Sequence, residues 1–99
     1  MTETYTHGRW TVKSGQEDAF VQEWTSFVTW ASTLPGSGTF RLTRDLDNPG
    51  DFVSFAPWET SQAQDEWRQQ PEFMERLARV RIHCDAFQAF TLELVTTVE

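Results

Sequence analysis

The hydrophobic and polar pattern opens on a short run rich in β-formers from Tyr5 to Val12 (Tyr-Thr-His-Gly-Arg-Trp-Thr-Val), which predicts a first β-strand. Ser14-Gly15-Gln16-Glu17 then has the spacing of a capping box, with the Ser hydroxyl taking the free amide three residues on and Glu17 reaching back. Beyond it Phe20, Trp24, Phe27, Ala31 and Leu34 recur at steps of four and three, the single apolar stripe of an amphipathic helix. Trp30 falls at the edge of that stripe as a half-buried flank residue. Leu34-Pro35-Gly36-Ser37-Gly38 ends the helix. Thr39 to Leu46 sets Phe40 and Leu42 against Arg41 and Thr43, a second strand with two unlike faces. Asp47-Asn48-Pro49-Gly50-Asp51 closes a hairpin, and Phe52 to Trp58 returns as a third strand.

Thr60 or Ser61 caps a second helix, which Pro71 interrupts because its ring removes an amide and clashes with the preceding turn. A short segment to about Gln69 is expected, then another with Pro71 in its first turn and Phe73, Leu77, Val80 and Cys84 as its stripe. Arg76, Arg79 and Arg81 crowd its C-terminal half, where the helix dipole favours positive charge, and read as a solvated face. Phe87 to Val98 predicts a long last strand with Phe90, Leu92 and Leu94 on one side. The β-α-β-β-α-β order implies an α+β, ferredoxin-like domain over 1–99: a four-stranded antiparallel sheet with helices on one face. The other sheet face carries Phe and Val with no helix left to cover it. A second copy of the sheet covers it most simply, so a homodimer is expected.

Composition sharpens this picture. Five Trp and eight Phe in 99 residues are more aromatic surface than one small core hides, so a ligand pocket or a subunit interface is expected. The net charge of −7 argues against nucleic-acid or anionic-membrane partners, which need a basic stripe. Cys84 stands alone, which excludes an intrachain disulfide and fits a reducing, cytoplasmic setting. No signal peptide or transmembrane run is legible.

Candidate chemistry centres on Phe52 to Trp67, a strand that delivers Trp58 to its end and a capped helix that carries Trp67. Ser54 shares its strand face with Phe52, Ala56 and Trp58. His7 and Arg9 lie on the opposite strand face from Thr6, Gly8 and Trp10, and read as a polar cluster at the sheet–sheet contact. His83 and Cys84 point about 100° apart on a helix, and no C-x-x-C or H-x-x-x-H spacing accompanies them, so no metal is expected. No nucleophile elbow, phosphate-binding loop or dinucleotide fingerprint is present.

The element order, Gly8-Arg9-Trp10-Thr11-Val12-Lys13-Ser14-Gly15-Gln16-Glu17, and Trp58-Glu59-Thr60-Ser61-Gln62-Ala63 with Trp67 together resemble the antibiotic biosynthesis monooxygenase domain proteins of the dimeric α+β barrel superfamily. The resemblance covers essentially the whole chain. It implies a pocket between the sheet and the helices of each protomer. Haem-degrading members use a first-strand Asn, a second-helix Trp and a proximal His. Trp67 matches the Trp, but the Asn position falls near Gly8 and the His position on Leu77, which disfavours haem degradation.

A second branch oxidises aromatic polyketide anthrones to quinones without metal or flavin, the deprotonated substrate itself reducing oxygen. Those members present a third-strand Asn, a Trp at the strand end, a Tyr early in the second helix and an Arg further along. Trp58 matches the Trp, Ser54 stands at the Asn, Gln64 at the Tyr, and the Arg falls near Leu77 beside Arg76 and Arg79. The resemblance thus implies a cofactor-free monooxygenase acting on an aromatic, polyketide-like anthrone or quinol. Trp58, Ser54 and Gln64 would be catalytic, and Trp67, Trp10, Gly8, Phe52, Arg76 and Leu77 would bind substrate. The alternative is a dimer that binds a small aromatic without turnover.

Overall fold

In the computed structural model, which describes residues 3–99, the strands and helices follow in the order β1 (Thr4–Val12), α1 (Glu17–Ala31), β2 (Arg41–Arg44), β3 (Asp51–Trp58), α2 (Ser61–Arg68), α3 (Phe73–Arg81) and β4 (Cys84–Glu93). The strands form one antiparallel sheet in the order β2-β3-β1-β4, the ferredoxin-like α+β arrangement. Alternation decides its faces. Gly8, Trp10 and Val12 of β1 and Phe52, Ser54, Ala56 and Trp58 of β3 are buried toward the helices, as period-two patterning requires. The α1 stripe of Phe20, Trp24, Phe27 and Ala31 packs down on them, joined by Trp67 and Val80. On the other face Phe90 and Leu92 remain 40% and 43% exposed, beside half-buried Phe55 and Val53. Among the described residues no helix is long and apolar enough to cross a membrane.

Several local expectations are corrected. The Ser14–Glu17 capping box does not form. Gly15 turns the chain at φ +84°, and Gln16 occupies the N-cap without a side-chain cap bond. The Gln16 carboxamide is engaged elsewhere, its Oε1 lying 2.9 Å from His83 Nδ1. β2 is shorter than its alternating pattern. Asp45 begins the turn, its Oδ1 accepting from the amides of Asp47 and Asn48 at 2.8 and 3.2 Å. Thr60 is the true cap of α2, accepting from the Ala63 amide at 3.1 Å.

Pro71 lies in the turn ahead of α3 rather than in its first turn, since Phe73 N donates to Gln70 O across it. Cys84 opens β4 and pairs with Val12 instead of extending the α3 stripe, because the helix stops at Arg81. β4 in turn ends at Glu93. Leu94 adds one amide bond to Glu3 O, and Val95 and Val98 stand in solvent.

Candidate functional site

A cavity of about 180 Å³ lies between the sheet and the helices. Its sheet side is built from Thr6, Gly8, Trp10, Ser54, Phe87 and Ala89, and its helix side from Trp24, Phe27, Trp67 and Leu77. Phe40, Phe73, Val28 and Arg68 complete these walls, and His7, Phe55 and Phe90 also border the space. Ala89 and Thr91 lie on the helix side of the edge strand β4 yet are exposed, so the cavity opens there. Trp10 stacks on Phe87 with ring centroids 4.1 Å apart, which makes one wall flat.

The polar content of this space is small and fixed. Trp10 Nε1 donates to Ser54 Oγ at 2.9 Å in a buried hydrogen bond. The bond consumes acceptor capacity of the hydroxyl and leaves its O–H to donate, with no acceptor among the described residues. Gly8 makes the bond possible: a Cβ there would sit 2.8 Å from Ser54 Oγ and 2.9 Å from Trp10 Nε1.

A second polar group surrounds Arg68. Its Nη2 donates to Gln64 Oε1 at 3.1 Å and to Thr91 Oγ1 at 3.0 Å, while Gln64 Nε2 donates to Thr4 Oγ1 at 2.6 Å. Among the described residues no three His, Cys, Asp or Glu side chains gather as metal ligands. Cys84 lies outside the cavity, and burial, with Asp85 adding to it, pushes its thiol up to about 11. It remains a neutral thiol at ordinary pH.

Of the residues singled out from the sequence, Ser54, Trp67, Trp10, Gly8 and Leu77 border the cavity and Trp58, Gln64, Phe52 and Arg76 do not. Trp58 is 1% exposed because Trp67 stacks on it at 5.0 Å and Phe40 meets its ring edge-on at 5.9 Å. It backs the cavity wall instead of forming it. Both indole N–H groups of this stacked pair are buried without an acceptor among the described residues. Gln64 is fully buried and turned toward Thr4. Phe52 packs on Phe20, with the Arg44 guanidinium 4.7 Å from its ring centre. Arg76 lies over the half-buried Trp30 ring at 5.0 Å, and Arg79 pairs with Glu75 in solvent.

Leu77 presents no iron ligand to the cavity, and His83 is bound to Gln16 away from it. Sequence reading passed over Arg68. The available signal was its i,i+4 spacing from Gln64, which places both on one face of α2.

Comparison with solved structures places this fold among known ones. SnoaB, a cofactor-independent oxygenase from Streptomyces nogalater, superposes with a TM-score of 0.89 at 20% identity, over 99% of this chain and 98% of that one. Rv0793 from Mycobacterium tuberculosis gives 0.82 at 17% identity, over 98% and 99%. A conserved protein from Methanosarcina mazei gives 0.82 at 15% identity, over 92% and 91%. At these identities the likeness is one of fold. Among curated proteins no sequence matches the chain significantly. The sequence profile named antibiotic biosynthesis monooxygenase, however, matches residues 5–79, from β1 through most of α3. On that match, the chain belongs to the antibiotic biosynthesis monooxygenase family.

Proposed function

We propose that this protein is a cofactor-independent monooxygenase that oxidises a flat aromatic, an anthrone or quinol of polyketide type, in the cavity between sheet and helices. The observation that carries the proposal is the Ser54 hydroxyl, fixed by Trp10 and otherwise surrounded by aromatic surface. An anthrone CH₂ is acidic. Once it is deprotonated, its enolate oxygen accepts the Ser54 O–H, and the electron-rich carbon reduces O₂ directly. The carbon–peroxide anion so formed takes up a proton, replacing the one the CH₂ released, and then loses water to give the ketone, one oxygen atom entering product and one entering water. The protein's task is to hold the ring, exclude solvent and stabilise the oxyanion. Trp10, Trp67 and Leu77 form the walls, and Gly8 leaves room for the serine. Trp58 positions Trp67 from behind and Gln64 positions Arg68. Phe52 and Arg76 take no part in this reading.

Oxygen uptake with a simple anthrone tests it. Wild-type uptake should exceed the spontaneous rate and be insensitive to chelators. Ser54→Ala should lower it on the order of a hundredfold, the usual cost of one oxyanion donor. Trp58→Phe keeps an aromatic ring behind Trp67 but loses part of the buried indole, including an N–H without an acceptor among the described residues, so a smaller fall is expected. Uptake equal to buffer, with the ligand nevertheless bound, would favour a non-catalytic aromatic-binding protein. One feature supports that second reading: among the described residues no carboxylate lines the cavity to act as a base.

The functional unit in this proposal is a homodimer paired through the open sheet face of Phe55, Phe90 and Leu92. Light scattering at micromolar concentration should give twice the chain mass of 11.5 kDa, and Phe55→Asp should return it to that mass. A monomeric wild type would reject the dimer.

A further inference from the structure

Among the described residues, Arg68 alone puts a fixed charge on the cavity lining, and no carboxylate accompanies it there. Its side chain is only 33% exposed, and a long cation in that position would ordinarily swing into water. Here it is tied. Gln64, buried and fixed on β1 through Thr4, holds it from one side, and Thr91 on β4 holds it from the other. Asp65, one turn earlier, makes a long ion pair with Nη1 at 3.9 Å, but its carboxylate is 65% exposed, so water screens the pair and it offsets little of the guanidinium's charge. A protein of net charge −7 therefore keeps a guanidinium, held by neutral partners on the cavity side, beside an apolar space.

Nη2 is committed to Gln64 and Thr91, but a guanidinium carries five N–H donors in a planar fork suited to carboxylate and other anionic oxygens. Thr91 pairs with Thr6, and Ser54 pairs with Gly8, two residues further along β1. Ser54 on β3 and Thr91 on β4 flank β1 from opposite sides, so their backbones stand about 10 Å apart across the sheet and about 7 Å along it, and a ligand that meets both donors is flat and elongated, of two or more fused rings. The cavity volume of about 180 Å³ exceeds by little the roughly 150 Å³ that encloses benzene. One ring is therefore enclosed, and the next reaches the mouth at Ala89 and Thr91, where Arg68 stands.

We propose that Arg68 is the anion-reading residue of this cavity, and that its ligand is an aromatic bearing one anionic oxygen, a carboxylate or an ionised phenol or enol, against the guanidinium. This rests on the cavity being the ligand site and adds the charge of the ligand and the residue that selects it.

Equilibrium binding, read by quenching of tryptophan fluorescence, separates the two ideas because it needs no turnover. The probes are 2-naphthoate, its methyl ester, and 2-naphthol on either side of its ionisation. An anion on the guanidinium should bind about tenfold or more tightly than its neutral counterpart, the usual gain from a charge-assisted bond. Arg68→Gln should abolish that preference while leaving ester affinity within about twofold, and Arg68→Lys should keep part of it. Thr91→Val removes one tether at an exposed position, so it should weaken the preference severalfold with Tm unchanged, which guards against a folding artefact in the Arg68 variants.

A preference for naphthoate over its ester assigns a carboxylate ligand. Tightening of 2-naphthol as it ionises, without that preference, assigns a phenolate or enolate. Binding of all probes without regard to charge, or a charge preference that survives Arg68→Gln, overturns the Arg68 proposal alone. Failure of every probe to bind overturns the cavity reading with it.

Discussion

Gly8 shows how much can depend on one missing carbon. Any side chain there meets both ends of the Trp10–Ser54 hydrogen bond at under 3 Å. Gly8→Ala should therefore cost about 1–3 kcal/mol in urea unfolding, as overpacking does, and should weaken aromatic binding in parallel. Adding Ser54→Gly should recover part of the stability but none of the binding, a coupling that a double-mutant cycle measures directly. Cys84 gives a pH-dependent test. Its thiol ionises near the ordinary 9.0 in the unfolded chain but only at about 11 in the folded one. Its contribution is intact below pH 9 and declines as pH rises from 9 toward 11. The urea midpoint of wild type should fall more steeply across that window than that of Cys84→Ala, and alkylation by iodoacetamide should stay slow at pH 8. At this scale the sequence was a partial guide. Ser54 and Trp67 could be placed from strand and helix periodicity, but the orientation of Arg68 depends on Thr4 and Thr91, which are remote in sequence and brought near only by β1–β4 pairing.

Helix caps separate a sequence pattern from its realisation. Ser14-x-x-Glu17 and the Thr60 cap look equally sound on paper, yet only Thr60 bonds a helix amide. Thr60→Ala should cost about 1 kcal/mol of stability, and Ser14→Ala should change it by less than about 0.5 kcal/mol. Equal losses in thermal or urea unfolding would refute the distinction. The reason is physical: a capping box needs the Ser at the last non-helical residue, and the left-handed Gly15 moves that residue on to Gln16. The strands were legible where alternation met a core on one side, as in β1 and β3. At β2 and β4 the strands themselves were legible but not their ends, which are fixed by where a neighbouring strand stops: β2 is shorter than its pattern, and β4 begins earlier, at Cys84, and stops earlier, at Glu93. Pro71 marked the break between α2 and α3 correctly, while the turn geometry decided that it precedes α3.

At the scale of the molecule, β1 is ladder-bonded along both edges and β2 along only one, over four residues. Hydrogen exchange should find β1 amides the most protected and β2 among the first to exchange. Comparable protection in the two strands would contradict this sheet order in solution. The α+β class and the helices-on-one-face layout followed from element order alone, because few topologies accommodate it. The same sheet order constrains how the protein is made. β1 is made before the other strands of this sheet, yet one of its two partners is β4, made after them, with Thr4 beside Glu93. A nascent chain that stops after α3 carries an unpaired, aromatic-rich edge in the middle of its intended sheet. Such an edge is a template for other chains. Premature termination there should yield an aggregating fragment that engages chaperones, whereas full synthesis closes the edge from within.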